Sequence, residues 1–336
     1  MKEKIIEYAK LLTIHQWGVA CLTAVYGALS AGELNVIPLF LLAIIGVQAT
    51  LFSAVFNDYI DVETDKLSKD LHDRPLVKGS IPRIHALYIT IIAVIIAYSI
   101  TLIAMYLDIF VTSIIPLIVL SSALLFGSIY NIYGKKFAGS DIFSAGGAAF
   151  FCLYGATVVS EKITYLTAIV VSLAFLQIFF LTAIIGGIKD ADHDYKMNIK
   201  NIAYRFGVRV KKDFIIPISF KIFSLLFRTS SAILLLIPFI HLKNYPFYIW
   251  QPIILILMYI GIFYGTIKML NLKKFDREQI RKLISLQAFL RYSAVPIMLF
   301  KFIGLSISLF LIIVPFVWFV IFNRLLYGSL IRPKRM

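Results

Sequence analysis

The chain has 336 residues, of which 60% are hydrophobic and only 15% are charged. With a mean hydropathy of +0.88, it is far more apolar than an ordinary soluble domain, which predicts an integral membrane protein. The net charge of +15 could indicate a nucleic-acid partner. However, most of the Lys and Arg residues fall in the segments on one side of the predicted spans, as expected for inner loops, and this asymmetry explains the charge without nucleic acid.

Nine apolar stretches follow one another along the chain, each about as long as the roughly 20 residues that a helix needs to cross a bilayer. They are residues 12–31, 35–57, 84–106, 109–130, 140–160, 163–188, 214–240, 246–270 and 293–322. These runs are apolar on every face, whereas the strands of a membrane barrel alternate polar and apolar residues. The sequence predicts an all-α fold of about nine transmembrane helices in a single domain, 1–336. For the last stretch, two short spans within 283–322 are the alternative, which would return the basic tail to the inner side.

The connections on the inner side are long and charged, and two of them are rich in acid, at 57–83 and 189–213. The first acidic group ends the second span in the string "FNDYIDVETD". If the helix continues to its last residue, Asp58, Asp61 and Asp65 stand at i, i+3 and i+7 and lie within about 60° of one another. Glu63 falls on the far side. This spacing predicts a carboxylate cluster that faces one direction.

The second acidic group follows the sixth span. Asp190 and Asp194 stand at i and i+4, about 40° apart on a helix, and Asp192 points away from them. Acid at a membrane boundary is also consistent with a solvated helix end. Two matched groups, each followed by Lys and Arg, favour a binding site on the inner, cytoplasmic face.

Carboxylate oxygens without His or Cys favour Mg²⁺ or Ca²⁺. The string "DADHDYKMNIKN" has Tyr195 and Asn201 where a calcium loop requires Gly and Glu. Mg²⁺ is typically held by one or two carboxylates together with substrate phosphates, whose remaining oxygens Lys and Arg can bind. The pattern therefore predicts Mg²⁺ and a phosphorylated substrate. The alternative of another class is a secondary transporter or cation carrier, but such sites lie near the bilayer midplane rather than at helix ends.

These strings match a known family in order, from about residue 12 to 213. "NDYIDVETD" resembles the first aspartate-rich motif, NDxxDxxxD, of the UbiA superfamily of intramembrane prenyltransferases, and "DADHD" resembles the second, DxxxD. "DRPLVKGSI" is similar to the Arg-Pro-Leu-x-x-Gly stretch of the family, "YNIYGKK" to its Tyr and Lys segment, and "KMNIKNIAYRFG" to the run that closes the second motif. The matched site positions are Asn57, Asp58, Asp61, Asp65, Arg74, Tyr130, Lys135 (or Lys136), Asp190, Asp194 and Lys200.

The resemblance implies nine helices around a central cavity that opens to the membrane for a polyprenyl chain. It implies Mg²⁺, as two ions, held by the five aspartates of the two motifs. Arg74, Tyr130, Lys135 and Lys200 would contact the diphosphate, and Asn57 would help to bind or orient it. The implied reaction transfers a polyprenyl group, geranylgeranyl or longer, from its allylic diphosphate to a lipophilic or aromatic acceptor.

The acceptor is less directly encoded. Eight residues separate Asp65 from Arg74, a spacing similar to that of the transferases of quinone pathways, so an aromatic quinone precursor is the preferred acceptor. Geranylgeranylglyceryl phosphate, an ether-lipid precursor, is the alternative. The first span lacks the Arg-Pro often found at the entry of the family, and His15 or Gln16 are offered there as acceptor contacts.

Overall fold

The computed structural model describes residues 2–67, 71–134, 136–197 and 199–329, which are mostly helical. The α-helices are α1 (Lys2–Leu11), α2 (Trp17–Ala20), α3 (Leu22–Ser30), α4 (Val36–Asp65), α5 (Pro75–Lys78), α6 (Arg83–Tyr106), α7 (Ile115–Tyr133), α8 (Asp141–Thr157), α9 (Tyr165–Phe179), α10 (Gly187–Lys189), α11 (Ala191–Met197), α12 (Ile202–Arg205), α13 (Ile218–His241), α14 (Trp250–Leu270) and α15 (Arg277–Tyr327). A 3₁₀ turn covers Ile14–Gln16, and a π-helix, Phe180–Gly186, joins α9 to α10. Two short antiparallel strands, β1 (Arg209–Val210) and β2 (Phe214–Ile215), pair in the loop before α13.

Seven segments of the described chain are long and apolar enough to cross a membrane: α4, α6, α7, α9 with its continuation to Lys189, α13, α14 and α15. The chain is therefore an integral membrane protein with an all-α fold, as its composition predicted. Two further predicted spans form shorter helical stretches inside the bundle. The first is divided into the 3₁₀ turn, α2 and α3, and the fifth is α8.

Glycines allow α3 and α8 to cross with their backbones almost touching. A Cβ atom at Gly27 would lie 1.8 Å from the carbonyl oxygen of Cys152, and one at Gly155 would lie 1.8 Å from that of Ala24. Small residues at such crossings are the usual means by which membrane helices approach closely. The crossing fixes the interrupted first span against the centre of the bundle, next to the cavities described below.

The last predicted span differs from a single crossing, because α15 is a helical hairpin. The backbone of Gly304 is not helical, with φ 82° and ψ 168°. This residue divides α15 into a first arm, 277–303, and a second arm, 305–327. The rings of Phe289 and Phe316 are 4.9 Å apart, whereas a straight helix would separate these residues by about 40 Å. The arms are therefore antiparallel, which matches the alternative of two spans at the C-terminal end.

The second arm returns along the start of the first span. The indole nitrogen of Trp318 donates a 2.7 Å hydrogen bond to the carbonyl oxygen of Ile14. At the end of the arm, the ring of Tyr327 meets that of His15 edge-on at 5.3 Å. His15, predicted as a possible acceptor contact, is thus buried against the second arm.

Candidate active site

The first acidic group lies on a continuous helix, as its spacing predicted. α4 runs without interruption from Val36 to Asp65. Asp58, Asp61 and Asp65 are 4%, 9% and 4% exposed, respectively. The side chain of Glu63 is 69% exposed and pairs with Lys66 at 3.0 Å on the outside of the helix. Three buried carboxylates therefore face the interior of the protein, and Glu63 does not.

Arg74 is placed beside this cluster by the short helix α5. Pro75 stands at the first position of α5, where its missing N–H costs nothing, and Gly79 ends the helix with φ 75°. Leu76 then packs with Val55 and Val62 of α4 in a small hydrophobic cluster. The "RPLVKG" string thus folds into a cap that attaches to the end of α4 through its apolar side and presents Arg74 to the carboxylates.

The guanidinium of Arg74 bridges two carboxylates of the first cluster. Its Nη1 atom donates to Asp58 at 3.2 Å and also donates to Asp65. Its Nε atom is buried and has no hydrogen-bond partner in the described structure. A cation thus occupies the space between two buried aspartates, and one further donor of the same side chain is buried without a hydrogen-bond partner.

The second acidic group follows an irregular helix. The π-helix Phe180–Gly186 precedes α10, and the chain leaves helical geometry again at Asp190 before α11 begins. π-Helical segments occur frequently at functional sites, because the extra residue redirects the side chains that follow. The side chain of Asp190 is 43% exposed and lies 3.4 Å from the ammonium of Lys189. This carboxylate therefore stands at an open edge of the site.

The other two aspartates of this group are held by different partners. Asp192 accepts a 2.6 Å hydrogen bond from Arg277 at the start of α15, so it faces away from the cavity, as predicted. Asp194 accepts a hydrogen bond from the side-chain amide of Asn201, whose own oxygen caps α12. Asn201 therefore links the position of Asp194 to the beginning of α12.

Tyr130, near the end of α7, lies where the two groups converge. Its hydroxyl is within electrostatic reach of Asp61 from the first group and of Asp190 and Asp194 from the second. Tyr130 and Asn57 also line a cavity of about 450 Å³ at the centre of the bundle. We call this space the central cavity, and both acidic groups meet at the end of it that Tyr130 marks.

The wall of the central cavity is largely apolar. It is formed by the sides of α4, α6, α7 and α8, and Ile45, Phe52, Leu124 and Phe151 are among its apolar residues. The rings of Phe52 and Phe56 stack at 5.8 Å along α4. The cavity thus offers hydrocarbon and aromatic surface behind a group of carboxylates.

Three polar residues of this site did not stand out in the sequence. Asp141 begins α8 and is 6% exposed, within reach of Thr182 and of the charge of Asp194. Asn131 and Thr182 line the central cavity. The signal for Asp141 was available, because it is another acidic residue at the mouth of an apolar helix. Asn131 and Thr182 carried no signal, since single polar residues in a span are common.

The remaining predicted positions are Lys200, Lys135 or Lys136, and Gln16, and each has a different location. Lys200 is exposed in the segment between α11 and α12. Lys135 lies outside the described residues, and the alternative, Lys136, is exposed, with its ammonium 4.7 Å from the centre of the Tyr133 ring. Gln16 lines the central cavity and also a second cavity beside it. The structure therefore gathers Asn57, the motif aspartates, Arg74 and Tyr130.

The donor set fits Mg²⁺. Among the described residues, no three His, Cys, Asp or Glu side chains stand close enough to hold a metal ion by themselves. Mg²⁺ does not require such a cage, because it is usually held by one or two carboxylates plus phosphate oxygens of the substrate. The buried pair of Asp58 and Asp65, which here holds the cationic guanidinium of Arg74, has the composition and charge that this mode of binding needs.

A sequence model of the UbiA prenyltransferase family matches residues 19–269. The chain belongs to the UbiA prenyltransferase family. As a UbiA protein it is an intramembrane prenyltransferase, which decides between an enzyme and the alternative of a transporter. The match ends near the end of α14, so the C-terminal hairpin lies beyond it.

Solved structures share the fold of this UbiA protein. A digeranylgeranylglyceryl phosphate synthase is similar at 20% identity and a TM-score of 0.65, over 90% of this chain and 100% of that one. A UbiA homologue from Archaeoglobus fulgidus bound to GPP and Mg²⁺ has 16% identity and a TM-score of 0.60, over 87% and 99%. An apo UbiA homologue from Aeropyrum pernix K1 has 15% identity and a TM-score of 0.60, over 85% and 96%. A comparison with curated proteins finds no match.

Proposed function

We propose that the protein transfers a polyprenyl group, geranylgeranyl or longer, from its allylic diphosphate to an aromatic quinone precursor in an Mg²⁺-dependent reaction. The observation that carries this proposal is the convergence of the two acidic groups on Tyr130 at one end of an apolar cavity. A substrate with a diphosphate head and a hydrocarbon tail matches this arrangement, because its head would lie at the acidic end and its tail in the apolar cavity. The Archaeoglobus fulgidus homologue of the same fold holds GPP and Mg²⁺.

The motif residues divide the work of binding the head group. The residues that would hold two Mg²⁺ ions are Asp58, Asp61, Asp65, Asp190 and Asp194. Bound there, the metal would neutralise charge on the diphosphate and stabilise it as a leaving group. Arg74, Tyr130, Lys135 and Lys200 would contact the oxygens that remain, and Asn57 would orient the diphosphate. The buried Nε atom of Arg74 supports this role, since it has a hydrogen to donate and no partner.

The reaction breaks the bond between C1 of the prenyl chain and the diphosphate oxygen. The diphosphate leaves with the electron pair, and positive charge develops on the allylic carbon. Phe52 and Phe151 in the cavity wall present aromatic faces that stabilise a cation, and the apolar lining excludes water that would otherwise capture it. A ring carbon or hydroxyl oxygen of the acceptor then attacks C1, and its proton passes to the released diphosphate.

The acceptor has two candidates. The eight residues between Asp65 and Arg74 favour an aromatic quinone precursor. Geranylgeranylglyceryl phosphate is the second candidate, because a digeranylgeranylglyceryl phosphate synthase has the same fold over 90% of this chain.

We further propose that residues 1–336 act as one domain whose active site faces the cytoplasm, in keeping with the basic segments predicted on the inner side.

The test uses purified full-length protein reconstituted in liposomes, with labelled geranylgeranyl diphosphate, Mg²⁺ and a panel of phenolic, quinone-precursor and glycerol-phosphate acceptors. We expect release of pyrophosphate, a prenylated product identified by mass, and loss of both when EDTA removes the metal. Asp58→Asn and Asp190→Asn should each abolish turnover while the fold is retained.

Glu63→Gln is the matched control, because Glu63 belongs to the same helix and the same acidic string but faces outward. It should leave turnover unchanged. Full turnover by both aspartate variants, or metal-independent flux of an ion without any chemical product, would contradict the proposed function.

A further inference from the structure

A second cavity, of about 330 Å³, lies beside the central cavity, between the first span and the two arms of the C-terminal hairpin. We call it the lateral cavity. Gln16, Ala20 and Leu181 line both spaces, so the two cavities share a wall. Lys189, the residue directly before Asp190, also lines the lateral cavity. The space therefore adjoins the second acidic motif and not only the surrounding lipid.

A buried arginine whose hydrogen-bond donors the protein does not fully satisfy lines the lateral cavity. Arg291, on the first arm, is 7% exposed and lines the lateral cavity together with a smaller space of about 100 Å³ next to it. Its Nε atom donates to the carbonyl oxygen of Gln287 at 3.3 Å, but its buried Nη1 atom has no hydrogen-bond partner in the described structure. An ionisable group inside a membrane bundle is costly and usually serves a function.

A second buried arginine nearby is, by contrast, occupied with structural contacts. Arg228 of α13 donates to Thr266 at 3.4 Å and to Gln287 at 3.2 Å, and its guanidinium lies 3.4 Å from the centre of the Phe180 ring at the start of the π-helix. Arg228 and Arg291 are within electrostatic reach of each other. The region thus holds two positive charges, of which Arg228 is locked by neutral partners.

Spare hydrogen-bond donors lie near Arg291, and the neighbouring helices carry no acidic residue. The side-chain amide nitrogens of Gln177 and Gln287 are also buried without partners in the described structure, and Gln177 lines the smaller space beside Arg291. The sequences of α3, α9, α13 and α14 contain no Asp or Glu, and none follows Glu278 along the chain. Unpaired donors next to unpaired positive charge call for an anionic ligand, since carboxylate and phosphate oxygens accept charge-assisted hydrogen bonds.

We infer that the lateral cavity binds the acceptor substrate and that Arg291 recognises a carboxylate or phosphate group on it. The inference rests on the proposed function and deepens it, because it makes a negative charge on the acceptor a requirement of the site. Both acceptor candidates can carry such a charge, as an aromatic acid or as a glycerol phosphate. Arg291 is then the specificity-determining residue, and Tyr26 and Tyr292, which line both spaces beside it, supply further hydroxyl groups.

The test measures equilibrium binding of matched acceptor pairs to the full chain in nanodiscs of neutral lipid, without donor. One pair is 4-hydroxybenzoate and 4-hydroxybenzamide, and the other is geranylgeranylglyceryl phosphate and geranylgeranylglycerol. The charged member of at least one pair should bind more tightly, by roughly 10- to 100-fold, as expected for a hydrogen bond to a charged group. Arg291→Gln should abolish this preference without weakening the neutral member, and Arg291→Lys should retain part of it.

Lys301→Gln is the matched control, because it removes one positive charge from an exposed position on the same arm. It should keep the full preference. Mg²⁺-dependent binding of labelled geranylgeranyl diphosphate reports whether each variant is folded. If Arg291→Gln is not folded, the inference is tested by two other results: the preference of the wild type for the charged acceptor, and the reduction of that preference in Arg291→Lys.

Equal binding of the charged and neutral members by the wild type in both pairs would overturn the inference, as would an unchanged preference in folded Arg291→Gln. Nanodiscs with anionic lipid separate the two sources of a bound anion. Loss of the preference in those discs would assign the site to lipid head groups and would also overturn the inference. A failure of the proposed function would look different: no acceptor would then lead to release of pyrophosphate from the donor, although the Arg291-dependent binding preference persisted.

Discussion

The two acidic groups of this protein contain the same chemistry on different scaffolds. The first group stands on a regular helix, is buried, and is bridged by the guanidinium of Arg74. The second follows a π-helix and a break at Asp190, is more exposed, and is held through Arg277 and Asn201. The two groups thus differ in helix geometry and in exposure. The comparison predicts that substitution of a buried carboxylate of the first group will be more damaging than substitution of Asp192, the carboxylate of the second group that faces away from the cavity.

The largest loss of rate is expected for Asp61, a buried carboxylate of the first group. Asp192, the outward carboxylate of the second group, is the comparison. Asp61→Asn should reduce the rate of prenyl transfer by roughly 100- to 1000-fold, the usual loss when one electrostatic contact to the transition state is removed. Asp192→Asn should reduce it by no more than about fivefold, because a partly exposed ion pair contributes under about 1 kcal/mol. Single-turnover rates with labelled donor measure both. Equal losses would contradict the assignment of Asp61 to the site and of Asp192 to the outward ion pair with Arg277.

The next comparison uses Arg74, which belongs to the first group alone. Arg74→Met removes the guanidinium that bridges the buried carboxylates of Asp58 and Asp65, and the free energy of unfolding should fall by about 3 kcal/mol. Added Mg²⁺ should raise the apparent Tm of this variant more than that of the wild type, because the metal then no longer competes with the guanidinium of Arg74 for these two carboxylates.

Lys66→Met provides the control for Arg74→Met, since it breaks the exposed pair with Glu63 and should change stability by under about 0.5 kcal/mol. Thermal unfolding at increasing Mg²⁺ concentration, in the absence of donor, measures the difference. A Tm increase of the same size in the wild type and in Arg74→Met would mean that the metal does not use these two carboxylates.

The sequence predicted the first group better than the second, and the reason is helical regularity. Because α4 is uninterrupted, the spacing of Asp58, Asp61 and Asp65 correctly identified the buried face and excluded Glu63. No spacing rule reveals a π-helix, which shifts every later residue by one position, or about 100° of rotation. The orientation of Asp190 therefore had to come from the structure.

Contacts between distant segments of the chain likewise could not be predicted from the sequence. The family motif named Arg74, but its bridge between Asp58 and Asp65 depends on how α5 packs against α4. The sequence allows both one span and two short spans at the C-terminal end, because a run that is apolar on every face carries no periodicity that would mark a reversal at Gly304. The pairing of Arg291 with the lateral cavity depends on that reversal, and so it could not be predicted either.

A smaller effect is expected at Asn201, which serves the second group alone. Asn201→Ala removes both the cap of α12 and the hydrogen bond to Asp194, and should lower the rate roughly tenfold, as removal of a supporting contact commonly does. The lost cap should cost about 1 kcal/mol of stability. Asn201→Ser separates the two roles, because serine can cap the helix but is too short to hold Asp194. Its stability should recover while its rate stays low, and a recovered rate would show that only the cap matters.

The smallest effect is expected at Gly79, which ends the cap that carries Arg74. Its φ of 75° lies in the left-handed region, and a Cβ atom there would meet nothing within 4 Å. Gly79→Ala should therefore cost only the backbone strain, about 1 kcal/mol, and Gly79→Asn should cost less, because asparagine tolerates this conformation better. If Arg74 is positioned by this turn, the affinity for labelled donor should follow the same order, wild type above asparagine above alanine. A fall in stability without that order in affinity would separate the turn from the first acidic group.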